Sequence, residues 1–205
     1  MARPKIDLNR AQNIIEAADE LFARYGYERT SMDDIARHLG IGKGSIYLDF
    51  RTKEDILFRI LERHAKAMQT DLRLSILNSN ASPLAILRDS FTTGCVSCYD
   101  RVTRDIHTPE TFLHTSISMK KHFADFFVTR RRLIYELLCK AADAGEIPRS
   151  KATEQTALAL MMATSSLYPP YLDNYSESVT IKSREDLISA APAIVDLLLD
   201  GLSSS

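Results

Sequence analysis

Four of the seven glycines in this 205-residue chain, Gly26, Gly40, Gly145 and Gly201, stand just past a stretch of helical hydrophobic periodicity. That is where a left-handed residue closes a helix at least cost to glycine. Only seven prolines accompany them, so turn-makers are few and long helices joined by few loops are expected. Strand-rich sandwiches, which need a turn roughly every ten residues, are disfavoured. Hydrophobic residues at 45% and charged residues at 26% are ordinary for a packed protein and argue against disordered, collagen-like and coiled-coil classes. The length suits one large domain or two small ones.

The pattern predicts an all-α chain of about nine helices. Asn9 is placed to cap the first, which runs to about Tyr25 with Ile14, Ala17, Ala18, Leu21 and Phe22 on one face. Ser31 and Asp34 form a capping-box variant that opens a helix of barely two turns, ended by Gly40. A tight connection leads into Lys43 to Phe50, and Thr52 with Asp55 repeats the capping pattern ahead of a long fourth helix reaching Leu77. Further helices are expected at about 83–99, 109–116, 118–144, 151–168 and 183–199, with Pro192 kinking the last.

The 26 basic and 27 acidic residues leave a formal net charge of −1, so any binding to nucleic acid or an anionic membrane must be local. Residues 1–60 hold ten basic against ten acidic side chains, with Arg3, Lys5 and Arg10 placed to form a basic arm. The longest uncharged apolar run, Ala157 to Ala163, is far short of the roughly 18 residues that span a bilayer, and the amino terminus lacks a signal peptide's apolar centre. A cytoplasmic protein with no membrane partner is expected. Three cysteines, an odd number, make no disulfide framework, and reduced thiols are the expectation. No nucleophile elbow, HExxH helix or dinucleotide fingerprint occurs, and Gly42-Lys43-Gly44-Ser45 lacks P-loop spacing. Neither an enzyme, a metal site nor a cofactor is expected.

A short helix crossing the DNA backbone and a second entering the major groove need the layout found around Gly40. The string Thr30-Ser31-Met32-Asp33-Asp34-Ile35-Ala36-Arg37-His38-Leu39-Gly40-Ile41-Gly42-Lys43-Gly44-Ser45-Ile46-Tyr47-Leu48-Asp49-Phe50-Arg51-Thr52-Lys53-Glu54-Asp55-Ile56-Leu57 resembles the DNA-binding domain of the tetracycline-repressor (TetR) family, over about residues 9–60. The residues themselves suit the task. Ile35, Leu39, Ile41, Ile46 and Phe50 can be buried against Leu21 and Phe22, leaving Lys43, Gly44, Tyr47 and Leu48 outward. Gly44 lets bases come close, and Lys43 and Ser45 can donate to base edges or phosphate. The resemblance implies that Ser31, Tyr47 and Lys53 hold phosphates and that Lys43, Gly44 and Ser45 lie against bases, with Thr30, Leu48 and Asp49 in the same surface. Asp49 stands where the family often has His or Tyr, and its carboxylate repels phosphates unless Arg51 or Lys53 neutralises it or it accepts from cytosine N4.

Two domains are expected, a helix-turn-helix domain over 1–52 and a helical effector-binding and dimerisation domain over 53–205. The resemblance implies a homodimeric regulator, repressing from a palindromic operator and released by a partly apolar small-molecule effector. Ala157, Leu160, Met161, Thr164 and Ser165 on one helix, with Leu187, Ala190, Ala191, Ile194, Leu197 and Leu198 on the last, form apolar faces suited to a dimer. Phe91, Cys95 and Cys98 share a helix face, as do Met119, Phe123, Phe127 and Tyr135, and with His107, Phe112 and Met161 they are candidates for the effector pocket. Lys120-Lys121-His122 and Arg130-Arg131-Arg132 read as solvated helix faces. Two other readings stay open: a helical ligand-binding or interaction module that does not read DNA, and a redox-sensing regulator using Cys95 and Cys98.

Overall fold

The computed structural model describes residues 8–105, 123–168 and 183–203, and among them no strand occurs. They form eight α-helices: α1 (Leu8–Tyr25), α2 (Met32–Leu39), α3 (Lys43–Asp49), α4 (Lys53–Asn78), α5 (Pro83–Asp105), α6 (Ala124–Asp143), α7 (Glu154–Thr164) and α8 (Arg184–Ser203). Short 3-10 turns, Arg149–Lys151 and Ser165–Leu167, flank α7. The all-α architecture is the expected one. The helix expected at 109–116 and the start of that expected at 118 lie outside the described residues.

Details differ where packing overrides local signals. Asn9 lies within α1 rather than ahead of it. The expected 151–168 helix is shorter, because Thr153 caps it by accepting from the Thr156 amide. Helix α8 continues through Pro192 and past Gly201, since its final turn buries Leu202 and that burial outweighs a glycine's low helix propensity. Gly40 and Gly145 do adopt left-handed backbone, with φ of 66° and 75°.

Two compact units make up the chain, Met1–Ala65 with Arg101–His122, and Lys66–Asp100 with Phe123–Ser205. The beginning of α4 therefore groups with the amino-terminal unit rather than starting the second. In the first unit Ile14, Ala18 and Phe22 of α1 are fully buried with Ile35 of α2, Ile46 of α3 and Ile56, Leu57 and Ile60 of α4. The second unit centres on Leu87 and Phe91 of α5, Ile134, Leu137 and Leu138 of α6, Leu160 of α7 and Leu187, Val195 and Leu199 of α8. In it α6 packs on α7, and α7 on α8.

Candidate nucleic-acid interface

Helix α2 begins with a full capping box: Ser31 Oγ accepts from the Asp34 amide at 3.2 Å, and the Ser31 amide donates to Asp34 Oδ2 at 2.9 Å. These bonds, joined by Arg37, hold the Asp34 carboxyl below the usual carboxylate range. Gly40 closes the helix with its left-handed backbone, and the Ile41 amide reaches back to Ala36 O at 3.0 Å. The turn leads directly into α3, whose first residue is Lys43.

Ile46, fully buried, and Phe50, 6% exposed, fasten α3 to the unit. Their spacing leaves the opposite face open. Tyr47 is 46% and Leu48 54% exposed, Lys43 and Gly44 are exposed, and Ser45 is half-buried. A Cβ added at Gly44 would meet nothing within 4 Å, so nothing inside the chain requires glycine there. Lys43 Nζ pairs with Asp33 Oδ2 at 2.9 Å with both side chains half exposed, a contact weak enough to yield to a stronger acceptor.

Three expected contact residues turn inward. Thr30 is buried, and its hydroxyl donates to Gly26 O at 2.9 Å, so it fixes the turn before α2 instead of facing outward. Lys53 donates to Tyr27 O at 2.6 Å and lies 4.2 Å from the Tyr27 ring centroid; burial pushes its pKa down. It ties α4 to the turn after α1. Asp49 has a side chain only 1% exposed and takes a bidentate pair from Arg10, Nε to Oδ2 at 2.6 Å and Nη2 to Oδ1 at 3.1 Å. Its neutralising partner is thus Arg10, neither Arg51 nor Lys53. Arg10 is correspondingly committed within the unit, while Arg3 and Lys5 lie outside the described residues.

Asp19 of α1 forms a node that the sequence does not reveal, because its partners lie 44 and 82 residues away. Arg63 of α4 and Arg101 of α5 both donate to it, Arg101 at 2.7 Å, and His64 Nδ1 accepts from Arg101 Nη2 at 3.0 Å. Burial alone would raise the Asp19 pKa, but His64 and the two guanidinium groups bring it down to about 2. The lowering means a stability contribution fully present above the ordinary carboxylate pKa and lost as pH falls towards 2. Asp19→Asn is expected to cost about 1–2 kcal/mol at neutral pH, after allowance for solvent screening. Urea unfolding followed across pH should show the gap between wild type and variant closing as pH drops below 4; a gap independent of pH would refute the assignment.

The expected effector residues divide. Phe91, Cys95 and Phe123 are buried, and Cys98, Tyr135 and Met161 are half-buried. Phe127 is 45% exposed because it lies on the outer side of α6, so it does not join an internal pocket. His107, Phe112 and Met119 lie outside the described residues, as do Lys120, Lys121 and His122. Burial pushes the Cys98 thiol up to about 12 and raises Cys95 as well, leaving both protonated at neutral pH and poor nucleophiles. That environment does not favour thiolate chemistry. Arg130, expected on a solvated face, is only 8% exposed, whereas Arg131 reaches Glu154 at 3.7 Å.

Of the expected dimer residues, Ala157, Leu160, Thr164, Leu187 and Ala191 belong to the core of their own unit. Met161, Ile194 and Leu198 pack against that core and are half-buried, as is Ala190, while Ser165 and Leu197 are exposed. The hydrophobic pattern identified the inner face of these helices. Their outer faces carry Ala159, Met162, Ala163 and Ser166 on or just after α7, and Ser189, Ala193, Leu197 and Gly201 on α8, all exposed. Met162 and Leu197 are 67% and 77% exposed.

Among the described residues no group of three metal-ligating side chains occurs, and no helix is long and apolar enough to cross a membrane.

A capped short helix, a left-handed glycine turn and a second helix with an outward face together define a helix-turn-helix motif, the architecture that places a helix in the DNA major groove. Residues 14–60 match the family described as bacterial regulatory proteins, tetR family. The uncharacterized HTH-type regulator in the lacX 3′ region of Lactococcus lactis subsp. lactis is 33% identical over 81 residues, which are 40% of this chain and 41% of that relative. The chain thus matches about two fifths of that relative's length. The uncharacterized HTH-type regulator YezE of Bacillus subtilis (strain 168) is 27% identical over 166 residues, 75% of this chain and 80% of the relative. The crystal structure of a TetR/AcrR-family regulator from Thermobifida fusca YX-ER1 superposes with a TM-score of 0.61 at 25% identity, covering 94% of this chain and 98% of that one. Residues 14–60 thus carry a tetR-family DNA-binding region, and over most of its length the chain is similar to regulators of that kind.

Proposed function

We propose that this protein is a cytoplasmic repressor that binds a palindromic operator as a homodimer and is released by a small-molecule effector. The observation that carries the reading is the outward face of α3. Lys43, Gly44, Tyr47 and Leu48 stand exposed on a helix fastened from behind by Ile46 and Phe50, and the open space at Gly44 suits close approach by base edges. Ser31 and Ser45 complete the surface. Residues 1–52 form the DNA-reading part in this proposal, and 53–205 serve effector binding and dimerisation.

The dimer is assigned to the outer faces of α7 and α8, whose exposed small and apolar residues permit close helix contact across a two-fold axis. The effector is assigned to the carboxy-terminal unit, around Phe91 and Cys95. A tenfold loss of operator affinity on effector binding needs only about 1.4 kcal/mol of coupling.

Selection of DNA from a genomic pool at near-physiological salt tests the proposal. The recovered sequences should contain an inverted repeat with half-site centres about 34–36 Å apart. Tyr47→Ala should weaken operator binding about tenfold on every sequence, and Lys43→Ala should also relax the preference at one base position. Log affinity should fall steeply with log salt concentration. No enriched sequence, or unchanged affinity in both variants, would sink the assignment of this face.

A further inference from the structure

Arg130 of α6 is a cation inside the carboxy-terminal unit, only 8% exposed. Its Nη2 donates to Tyr168 Oη at 3.1 Å, and the guanidinium carbon lies 5.5 Å from the Phe91 ring centroid and 5.9 Å from that of Tyr168. A guanidinium offers five N–H donors, and the bond to Tyr168 is its one hydrogen bond among the described residues. No described carboxylate pairs with it. Three acids of the same unit are paired with other arginines: Asp100 with Arg184, Asp196 with Arg88 and Glu154 with Arg131.

The neighbouring ionisable groups do not supply the missing negative charge. Burial pushes the Tyr168 hydroxyl and the Cys98 thiol up to about 12 and raises Cys95, so all three are neutral at neutral pH. Cys95 is buried, and Tyr168 and Cys98 are half-buried. Buried charges are ordinarily paired, because desolvation without a counter-charge is expensive. Here the described surroundings provide aromatic faces and a neutral hydroxyl, and no anion occurs among them.

The backbone is shaped around this pair. Gly94 sits in the middle of α5, where glycine is unfavourable. A Cβ there would lie 2.9 Å from Tyr168 Oη, 3.3 Å from Met68 Cε and 3.9 Å from Arg130 Nη2. The glycine thus leaves room for the arginine and the tyrosine hydroxyl to lie against the helix.

We infer that the carboxy-terminal unit takes an amphipathic monocarboxylate, its carboxylate seated on the Arg130 guanidinium and the Tyr168 hydroxyl and its apolar body against Phe91 and Met68. This inference rests on the effector-binding reading and names the effector's chemical class. The free N–H groups of Arg130 match the planar fork of a carboxylate. Tyr168 Oη accepts from Arg130, so its own proton remains available to the ligand. One guanidinium among neutral groups balances one negative charge, which favours a monocarboxylate over a phosphate dianion.

Calorimetric titration of the full-length protein with straight-chain and aromatic carboxylates, decanoate first, each beside its matching alcohol, tests the site. At least one carboxylate should bind wild type about tenfold or more tighter than its alcohol, the effect of one well-made charged pair. Arg130→Met should erase that preference and leave alcohol binding within about threefold. Its ligand-free melting temperature should equal or exceed that of wild type, because the cation removed had no counter-charge among the described residues. Tyr168→Phe, which keeps the ring, should lower the preference about threefold and serves as the reading should Arg130→Met fail to fold. Equal binding of carboxylates and alcohols, a preference surviving in Arg130→Met or unchanged in Tyr168→Phe, or no carboxylate binding at all overturns the site. Operator release is measured in parallel: release by alcohols and carboxylates alike leaves the effector reading standing without this site. Binding of neither series, with operator affinity unmoved, removes the site and counts against effector control together.

Discussion

Arg10→Met is expected to lower the stability of the amino-terminal unit by about 3 kcal/mol, the scale for breaking a buried ion pair by removing one partner. The Asp49 side chain is 1% exposed and its two oxygens are taken by Arg10. Without the guanidinium, a carboxylate remains inside with no described partner. Its position adds to the cost, since Asp49 is the last residue of α3 and the carbonyl end of a helix repels negative charge. Arg10 is itself 29% exposed, so solvent relieves part of the loss, and the estimate sits at the low end of the range for buried pairs. A drop of that size corresponds to roughly 6–12 °C in melting temperature for a chain of this length. The double variant Arg10→Met/Asp49→Asn should recover more than half of it, because the stranded charge is gone. Operator affinity should fall in the single variant and return in the double one, since the pair holds the end of the recognition helix against α1. Urea unfolding with operator titration measures both, and a single variant within about 0.5 kcal/mol of wild type would show the pair to be dispensable.

The same residue shows what the sequence did and did not disclose. Asp49 stands out in the sequence as a carboxylate on a surface expected to face DNA, and in the structure its side chain turns inward to Arg10. That Arg10 neutralises it depends on α1 and α3 lying side by side, and 39 residues separate the two. Local signals fared better. The Ser31–Asp34 capping box, the Gly40 turn and the burial of Ile35, Ile46 and Phe50 follow from spacing, because each involves neighbours within one or two turns. Thr30 and Lys53 each make a bond within the chain that spacing does not disclose. A polar side chain next to a helix terminus suits backbone capture and phosphate capture equally, and only the fold reveals that Tyr27 O and Gly26 O claim them first. Arg130 was hidden inside an arginine triplet, where sequence offers no means to tell a buried cation from its solvated neighbours. On α7 and α8 the apolar period marks the face with the most hydrophobic residues, and the unit's own core takes it.

Leu197, the expected dimer residue of α8 that the core leaves most exposed, leads to a second large effect. Leu197→Arg is expected to give a monomer that folds normally and binds the full operator at least about a hundredfold more weakly. Leu197 is 77% exposed in the single chain, so the substitution removes little within the unit, and melting of the isolated chain should change by no more than a few degrees. In a two-fold interface each residue counts twice. Two leucines, worth about 2 kcal/mol each when buried, are lost, and two guanidinium groups are brought towards one another. A monomer then presents one recognition helix to one half-site, and the second half-site no longer benefits from the high effective concentration set by the first. Leu187→Arg provides the contrast: Leu187 is fully buried in the core, so that variant should unfold the unit instead of dissociating a dimer. Light scattering on the purified variants and titration against full and half operators separate the cases. A Leu197→Arg protein that stays dimeric would move the interface away from this face of α8, whereas a monomer that still binds the full operator with wild-type affinity would remove dimerisation from the account of DNA recognition.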